Sequence, residues 1–259
     1  MIFYFSGTGN TRWAAETLAQ ATDERLLFIP KEAKGECYYT LAEGERIGFC
    51  FPTHGWQPPH IVRAFISRLR FSNAEGHYCY ALTTCGDSIG RTMEMLNADL
   101  QAAGLPAAKS LFTLIMPESY VCLPFMYTDT PEREHEKISE ARRQLAVFAQ
   151  LIVDRREGEV HTVRGLMPWA MSHIVGNYFN KHMVTDRKFR VDADRCVHCA
   201  RCSQVCPTGD LYMNDGLPDW WGKGDCTCCL ACYHHCPQHA INYGSITRKR
   251  GQYYFKETE

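Results

Sequence analysis

The residues best equipped for chemistry are cysteines written twice in one spacing: Cys196, Cys199, Cys202 and Cys206 before Pro207, then Cys226, Cys229, Cys232 and Cys236 before Pro237. Thiolates are soft donors that suit iron and sulfide, and three cysteines at steps of three wrap a tight loop round one cluster face. In this C-x2-C-x2-C-x3-C-P pattern the cysteine before each proline serves the other cluster. The spacing therefore assigns Cys196, Cys199, Cys202 and Cys236 to one [4Fe-4S] cluster, and Cys226, Cys229, Cys232 and Cys206 to a second. The repeat continues past the ligands, with Cys206-Pro207-Thr208-Gly209-Asp210-Leu211 echoed by Cys236-Pro237-Gln238-His239-Ala240-Ile241, as in a duplicated unit.

Structural zinc and a disulfide framework are the competing readings. Zinc sites usually take two C-x2-C pairs across a longer spacer. A disulfide framework needs an oxidising compartment, and Met1 to Gly7 lacks the basic and apolar regions of a secretion signal. Nine of the fourteen cysteines lie between residues 196 and 236, which fits a reduced, cytoplasmic setting and a metal role. Cys228 falls between ligand positions and reads as a spare thiol. The module resembles bacterial ferredoxins.

The remainder has the composition of a globular chain long enough for two domains, with 45% hydrophobic residues. With 28 basic and 29 acidic residues, the balance gives no argument for nucleic-acid binding. No stretch reads as a membrane span, since the apolar run from Leu166 to Phe179 is interrupted by Pro168, Ser172, His173 and Asn177.

Short apolar runs at residues 1–5, 25–29, 46–51, 77–83 and 110–115 read as buried strands. Helical periodicity lies at 11–21, 59–70, 90–103 and 131–155, whereas 31–45, with Gly35 and Gly44, reads poorly as a full helix. This alternation predicts an α/β domain, an open five-stranded parallel sheet with helices on both faces, over residues 1–156. Residues 157–190 form a connecting segment expected to pack as core, with a homodimer contact as the alternative, and 191–259 a small α+β domain carrying both clusters. Residues 117–131 are expected to form a lid or a contact with the cluster domain.

Ligands of such sheets sit beyond the carboxyl ends of the strands. There, Ser6-Gly7-Thr8-Gly9-Asn10-Thr11 precedes a helix: glycines admit an anion to the backbone, hydroxyls add donors, and the helix start favours negative charge. The loop lacks both the Lys-Ser/Thr ending of a triphosphate loop and dinucleotide spacing, which leaves a single phosphate on a flat cofactor.

With Ser6, Thr8, Gly9, Asn10 and Thr11 in place, this half resembles the flavodoxin family. The resemblance implies FMN, its phosphate on that loop and its ring flanked by Pro52-Thr53-His54-Gly55-Trp56 and Thr83-Thr84-Cys85-Gly86-Asp87, with Trp56 as a stacking residue. The whole chain is similar to fused flavodoxin–ferredoxin proteins of the EFR1 family, implying one FMN and two [4Fe-4S] clusters. The expected role is electron transfer between clusters and flavin, with redox partner proteins such as a ferredoxin-type donor or an acceptor enzyme. A flavin reductase with a small substrate, or a redox sensor, is the alternative. Trp220 and Trp221 are expected to shield a cluster, and Arg248-Lys249-Arg250 to be solvated or partner-facing.

Overall fold

A computed structural model describes residues 1–256. The first half alternates strands and helices: β1 (Ile2–Tyr4), α1 (Asn10–Thr22), β2 (Leu26–Phe28), α2 (Ile29–Glu32), β3 (Tyr38–Tyr39), β4 (Ile47–Pro52), α3 (His60–Arg68), β5 (Arg70–Phe71), β6 (Cys79–Cys85), α4 (Thr92–Ala102), β7 (Ser110–Ile115) and α5 (Pro131–Val153). All pairings in the main sheet are parallel, in the order β2-β1-β4-β6-β7-β8, where β8 is Val160–His161. Counting only main-sheet strands, the first five run second, first, third, fourth, fifth, the doubly wound flavodoxin-like order.

Neighbouring strand residues point to opposite faces, and both faces are covered. Phe3, Phe49 and Ala81 join the core under α3 and α4 with Val62, Phe65, Met93 and Leu96. Ile2, Cys50 and Leu82 join the opposite core, under α1 and α5 with Ala14, Leu18, Leu145 and Ile152. Burial on both faces explains why these strands read as continuous apolar runs.

Two expectations are corrected. The sheet has a sixth strand, β8, supplied by the segment expected only to connect domains; two residues are too few to give a periodic signal. As expected, 31–45 forms no full helix: it holds the end of α2 and then β3, which pairs with β5 apart from the main sheet. Residues 157–190 are not chiefly core: α6 (Pro168–Ala170), a π-turn (Met171–Val175) and α7 (Gly176–His182) bury Ser172 and Phe179, but Leu166 is 89% and Met167 71% exposed. Trp169, Ile174 and Tyr178 are exposed as well. Among the described residues no helix is long and apolar enough to cross a membrane.

The last region comprises β9 (Phe189–Val191), α8 (Arg201–Gln204), β10 (Leu211–Asn214), β11 (Leu217–Trp220), α9 (Ala231–His234) and β12 (Ile241–Tyr243). β12 pairs antiparallel with β9, and β10 with β11. The duplication is structural too: α8 and α9 each start after a left-handed residue, Ala200 (φ 56°) and Leu230 (φ 60°).

Between β7 and α5, residues 116–130 form an irregular segment that crosses toward this region. Its anchor is Asp129, whose carboxylate accepts the Glu118 N–H at 2.8 Å and Lys137 Nζ at 2.6 Å. Lys137 also donates to the Gly86 carbonyl, and the side chains of Asp129 and Lys137 are 8% and 9% exposed. Removing one partner of a buried pair strands the other charge. Asp129→Ala is therefore expected to cost about 3 kcal/mol in denaturant unfolding and to speed proteolysis within 116–130; an unchanged midpoint would show that the pair contributes nothing.

Candidate functional site

Three loops at the carboxyl ends of β1, β4 and β6 open onto one cavity of about 310 Å³, within the range of small-molecule sites. Ser6, Thr8, Asn10, Thr11, Pro52, Thr53, His54, Gly55, Trp56, Thr84, Cys85, Gly86 and Asp87 line it, so residues chosen from three separate loops come together. Two do not. Thr83 is buried in the sheet, its hydroxyl donating to the Phe51 carbonyl at 2.8 Å and paired with Thr53, because side chains alternate along β6. Gly9 shapes the loop from behind, with φ 98° and its Cα side against Phe255.

Gly9 is the residue before α1, and no side chain caps that helix. Among the described residues the amides of Thr8, Asn10 and Thr11 find no acceptor, as expected at a helix start, and the Gly9 N–H is taken by Ser6 Oγ at 3.2 Å. Free amides at a positive helix end suit a phosphate. Thr11 Oγ1 meets Thr84 Oγ1 at 2.7 Å, tying the first and third loops.

Around this end lie groups of several kinds. Burial lowers the His54 pKa to about 4, with His60 adding to the effect, so its imidazole is neutral near pH 7 and offers hydrogen bonds rather than charge. The Trp56 indole N–H donates to Ser88 Oγ at 3.2 Å while the side chain faces the cavity. Burial raises the Glu118 pKa, with Lys137 opposing. A Cβ on Gly86 would run into that carboxylate.

The other wall comes largely from the segment expected as a lid, together with elements the sequence did not connect to the site. Met116 to Tyr120, Leu123 and Met126 line the cavity, as do Phe179 of α7 and Cys228 and Cys229 of the second cysteine run. The 116–130 segment thus contacts both halves: Tyr120 packs edge-on against Phe179 at 5.1 Å, and the Ser119 carbonyl accepts a 2.6 Å bond from His234 on α9. His234 Nδ1 accepts the Tyr253 N–H. From there the tail returns to the first loop, where the Tyr253 hydroxyl donates to Asn10 Oδ1 at 2.6 Å and the Phe255 N–H to the Thr8 carbonyl at 2.8 Å. Single polar residues 243 positions apart leave no local pattern, so this tie was invisible in sequence. Arg250, expected to be solvated or partner-facing, lies over the Tyr127 ring at 3.6 Å.

Cys196, Cys199, Cys202 and Cys236 surround one small void of about 20 Å³ closed by Val197, Met213, Pro218 and Ile241. Cys206, Cys226 and Cys229 lie close enough to Cys232 to raise its pKa further, and Cys202 of the first four does so as well. Burial is the first cause there and in Cys202, pushed up to about 11. Thiolates so buried need a cationic partner, which iron supplies. Backbone amides already point at sulfur: Cys228 N–H to Cys226 Sγ at 3.4 Å, and Ala240 N–H to Cys236 Sγ at 3.2 Å. Among the described residues no three Cys, His, Asp or Glu groups are placed to hold a single ion. The first four thiols stand around a void.

The two tryptophans part company. Trp220 stacks on Phe189 at 5.2 Å and packs against the core containing Cys228 and Cys232. Trp221 is 51% exposed and stacks on Tyr212, so it shields no cluster; around the first void Met213 and Pro218 take that place.

Fold and cysteine geometry together define an iron–sulfur electron-transfer protein of ferredoxin type joined to a flavodoxin-like α/β domain. Two family models described as 4Fe-4S dicluster domains match the chain, at residues 188–237 and 157–209. No curated protein matches it. Among solved structures, a "putative flavoprotein" from Bacteroides uniformis is 20% identical, with 44% of this chain and 88% of that chain covered and a TM-score of 0.34. Rubredoxin oxygen:oxidoreductase from Desulfovibrio gigas is 16% identical, covering 56% of this chain and 35% of that one, with a TM-score of 0.29.

The crossed assignment makes distinguishable predictions. Cys236→Ser is expected to damage the cluster held by the first run, and Cys206→Ser the one held by the second, each leaving about four irons per chain. Elemental analysis with spectroscopy of Cys199→Ser and Cys229→Ser controls would check this; Cys236→Ser pairing spectroscopically with Cys229→Ser would refute the crossing.

Proposed function

We propose that the chain carries two [4Fe-4S] clusters and one FMN and passes electrons between them and on to a redox partner protein, as a fused flavodoxin–ferredoxin of the EFR1 family. The observation that carries this reading is the shared wall: Cys229, a thiol of the second run, lines the cavity beneath the phosphate-type loop. The contact is close, since a Cβ on Gly7 would lie 2.6 Å from Cys229 Cβ.

In this reading the free amides of Thr8, Asn10 and Thr11 hold the phosphate of FMN. Trp56, Tyr120, Met126 and Phe179 cover its ring and exclude water. When bound, the clusters supply one-electron steps and the flavin one- or two-electron steps, so their union exchanges the two kinds of redox chemistry. Neutral His54 offers hydrogen bonding without adding charge to the ring's surroundings. Crossed ligation keeps the clusters adjacent, and Cys229 gives electrons a path into the cavity without a diffusing carrier.

The test is iron, sulfide and released flavin per chain after anaerobic purification. About eight irons, about eight sulfides and one FMN are expected; full iron with no flavin, even after added FMN, would reject the flavin half. Gly7→Ala is expected to leave iron content intact and weaken FMN binding about tenfold, about 1.4 kcal/mol, as fluorescence titration would read.

A further inference from the structure

One ionisable group on the cavity wall has no bonding partner of its own. Glu118, on the irregular segment after β7, lines the cavity, and among the described residues its carboxyl makes no hydrogen bond or ion pair. The backbone around it is pinned from three elements. Asn10 Nδ2 donates to the Pro117 carbonyl at 3.3 Å, the Glu118 N–H is held by the Asp129 carboxylate at 2.8 Å, and His234 bonds the Ser119 carbonyl at 2.6 Å. The side chain is placed as closely: its carboxyl lies against Gly86 of the third cavity loop, where any Cβ would meet both of its oxygens. A solvated surface glutamate requires none of these constraints.

Charges of both signs face this carboxyl, from α5, the third loop and the segment itself. Lys137 and Arg133 of α5 favour its ionised form, whereas Asp129 and the exposed Asp87 oppose it. Lys137 Nζ is already committed to the Asp129 carboxylate at 2.6 Å and to the Gly86 carbonyl at 3.1 Å. The remaining titratable neighbours are uncharged near pH 7: burial lowers His54 and His234 to about 4 and raises the Cys85 thiol pKa. Burial is the largest influence on Glu118 as well and raises its pKa, so the group keeps its proton to a higher pH than a surface carboxyl does.

We propose that Glu118 gives and takes the proton that accompanies electron transfer at the group held in this cavity. The inference rests on the flavin reading above, in which reduction of the ring takes up protons along with electrons. Trp56, Tyr120, Met126 and Phe179 keep water from the cavity, so the proton has to come from the wall. In reduction the Glu118 O–H bond breaks, its electron pair stays on the carboxylate, and the proton forms an N–H bond on the ring. Two electrons from the clusters and that one proton give the singly protonated reduced ring and ionised Glu118, which a proton from solvent then restores. Oxidation reverses the exchange, with the carboxylate accepting the proton. Glu118 and Cys229 line the same cavity, so proton and electrons arrive from two fixed positions on its wall.

The test is redox-difference infrared spectroscopy of the chain loaded with clusters and FMN, without oxygen, at mildly acidic pH, with dithionite as reductant. Reduction is expected to remove the carbonyl band of a protonated carboxyl. That band should be missing from Glu118→Gln and shifted in Glu118→Asp, with iron content unchanged and FMN still bound. Stopped-flow reduction of the flavin is expected to slow about a hundredfold in Glu118→Gln, and Glu118→Asp to recover part of the rate. A band that persists in Glu118→Gln with FMN bound, or one lost only in Asp87→Asn, would overturn the proposal and leave the flavin reading standing. A chain that takes up no FMN would overturn both.

Discussion

The approach of Cys229 to Gly7 is the constraint on which the molecule's arrangement depends. A ferredoxin-type loop and a phosphate-type loop can share a wall only if the residue between them has no side chain, because a methyl group there would meet the cysteine at 2.6 Å. The surrounding ties hold that contact in place. His234 joins α9 to Ser119 and to the tail, and the tail in turn bonds Asn10 and Thr8 on the first loop. Each is a modest interaction, but they act on the same short stretch of backbone and restrict how far it can separate from the cluster loop.

The cavity and the cluster sites differ in how they satisfy charge. At the cavity the donors are backbone amides left open by the start of α1, and the nearby imidazole of His54 is neutral. At the clusters the thiols sit in apolar surroundings that disfavour their charged form, and the compensating charge must come from metal. Preorganisation thus takes opposite forms on either side of one wall: one site presents positive dipoles to an anion, the other presents latent anions to a cation.

Much of this was legible in sequence because it is local. Strands β1, β4, β6 and β7 and helices α1, α3, α4 and α5 fell close to their expected places, since burial on two faces and a 3.6-residue period both leave marks within ten residues. β8 was missed because pairing with β7, not its own two residues, makes it a strand. The apolar residues around Leu166 and Trp169 were read as core because composition alone does not say which face is covered. Thr83 was counted with the cavity loop because its neighbours belong there, though strand alternation turns it inward.

By itself the sequence determined the ligand chemistry and the two architectures: cysteine spacing within a loop, a glycine- and threonine-rich turn before a helix, and the period of each element are short-range properties that neighbouring residues impose. Only the tertiary structure decided that Cys229 would border the cavity and that Phe179 would complete its wall. Those contacts join segments between about fifty and more than two hundred residues apart, and their existence depends on how packed elements place their loops, a quantity no local window of sequence contains.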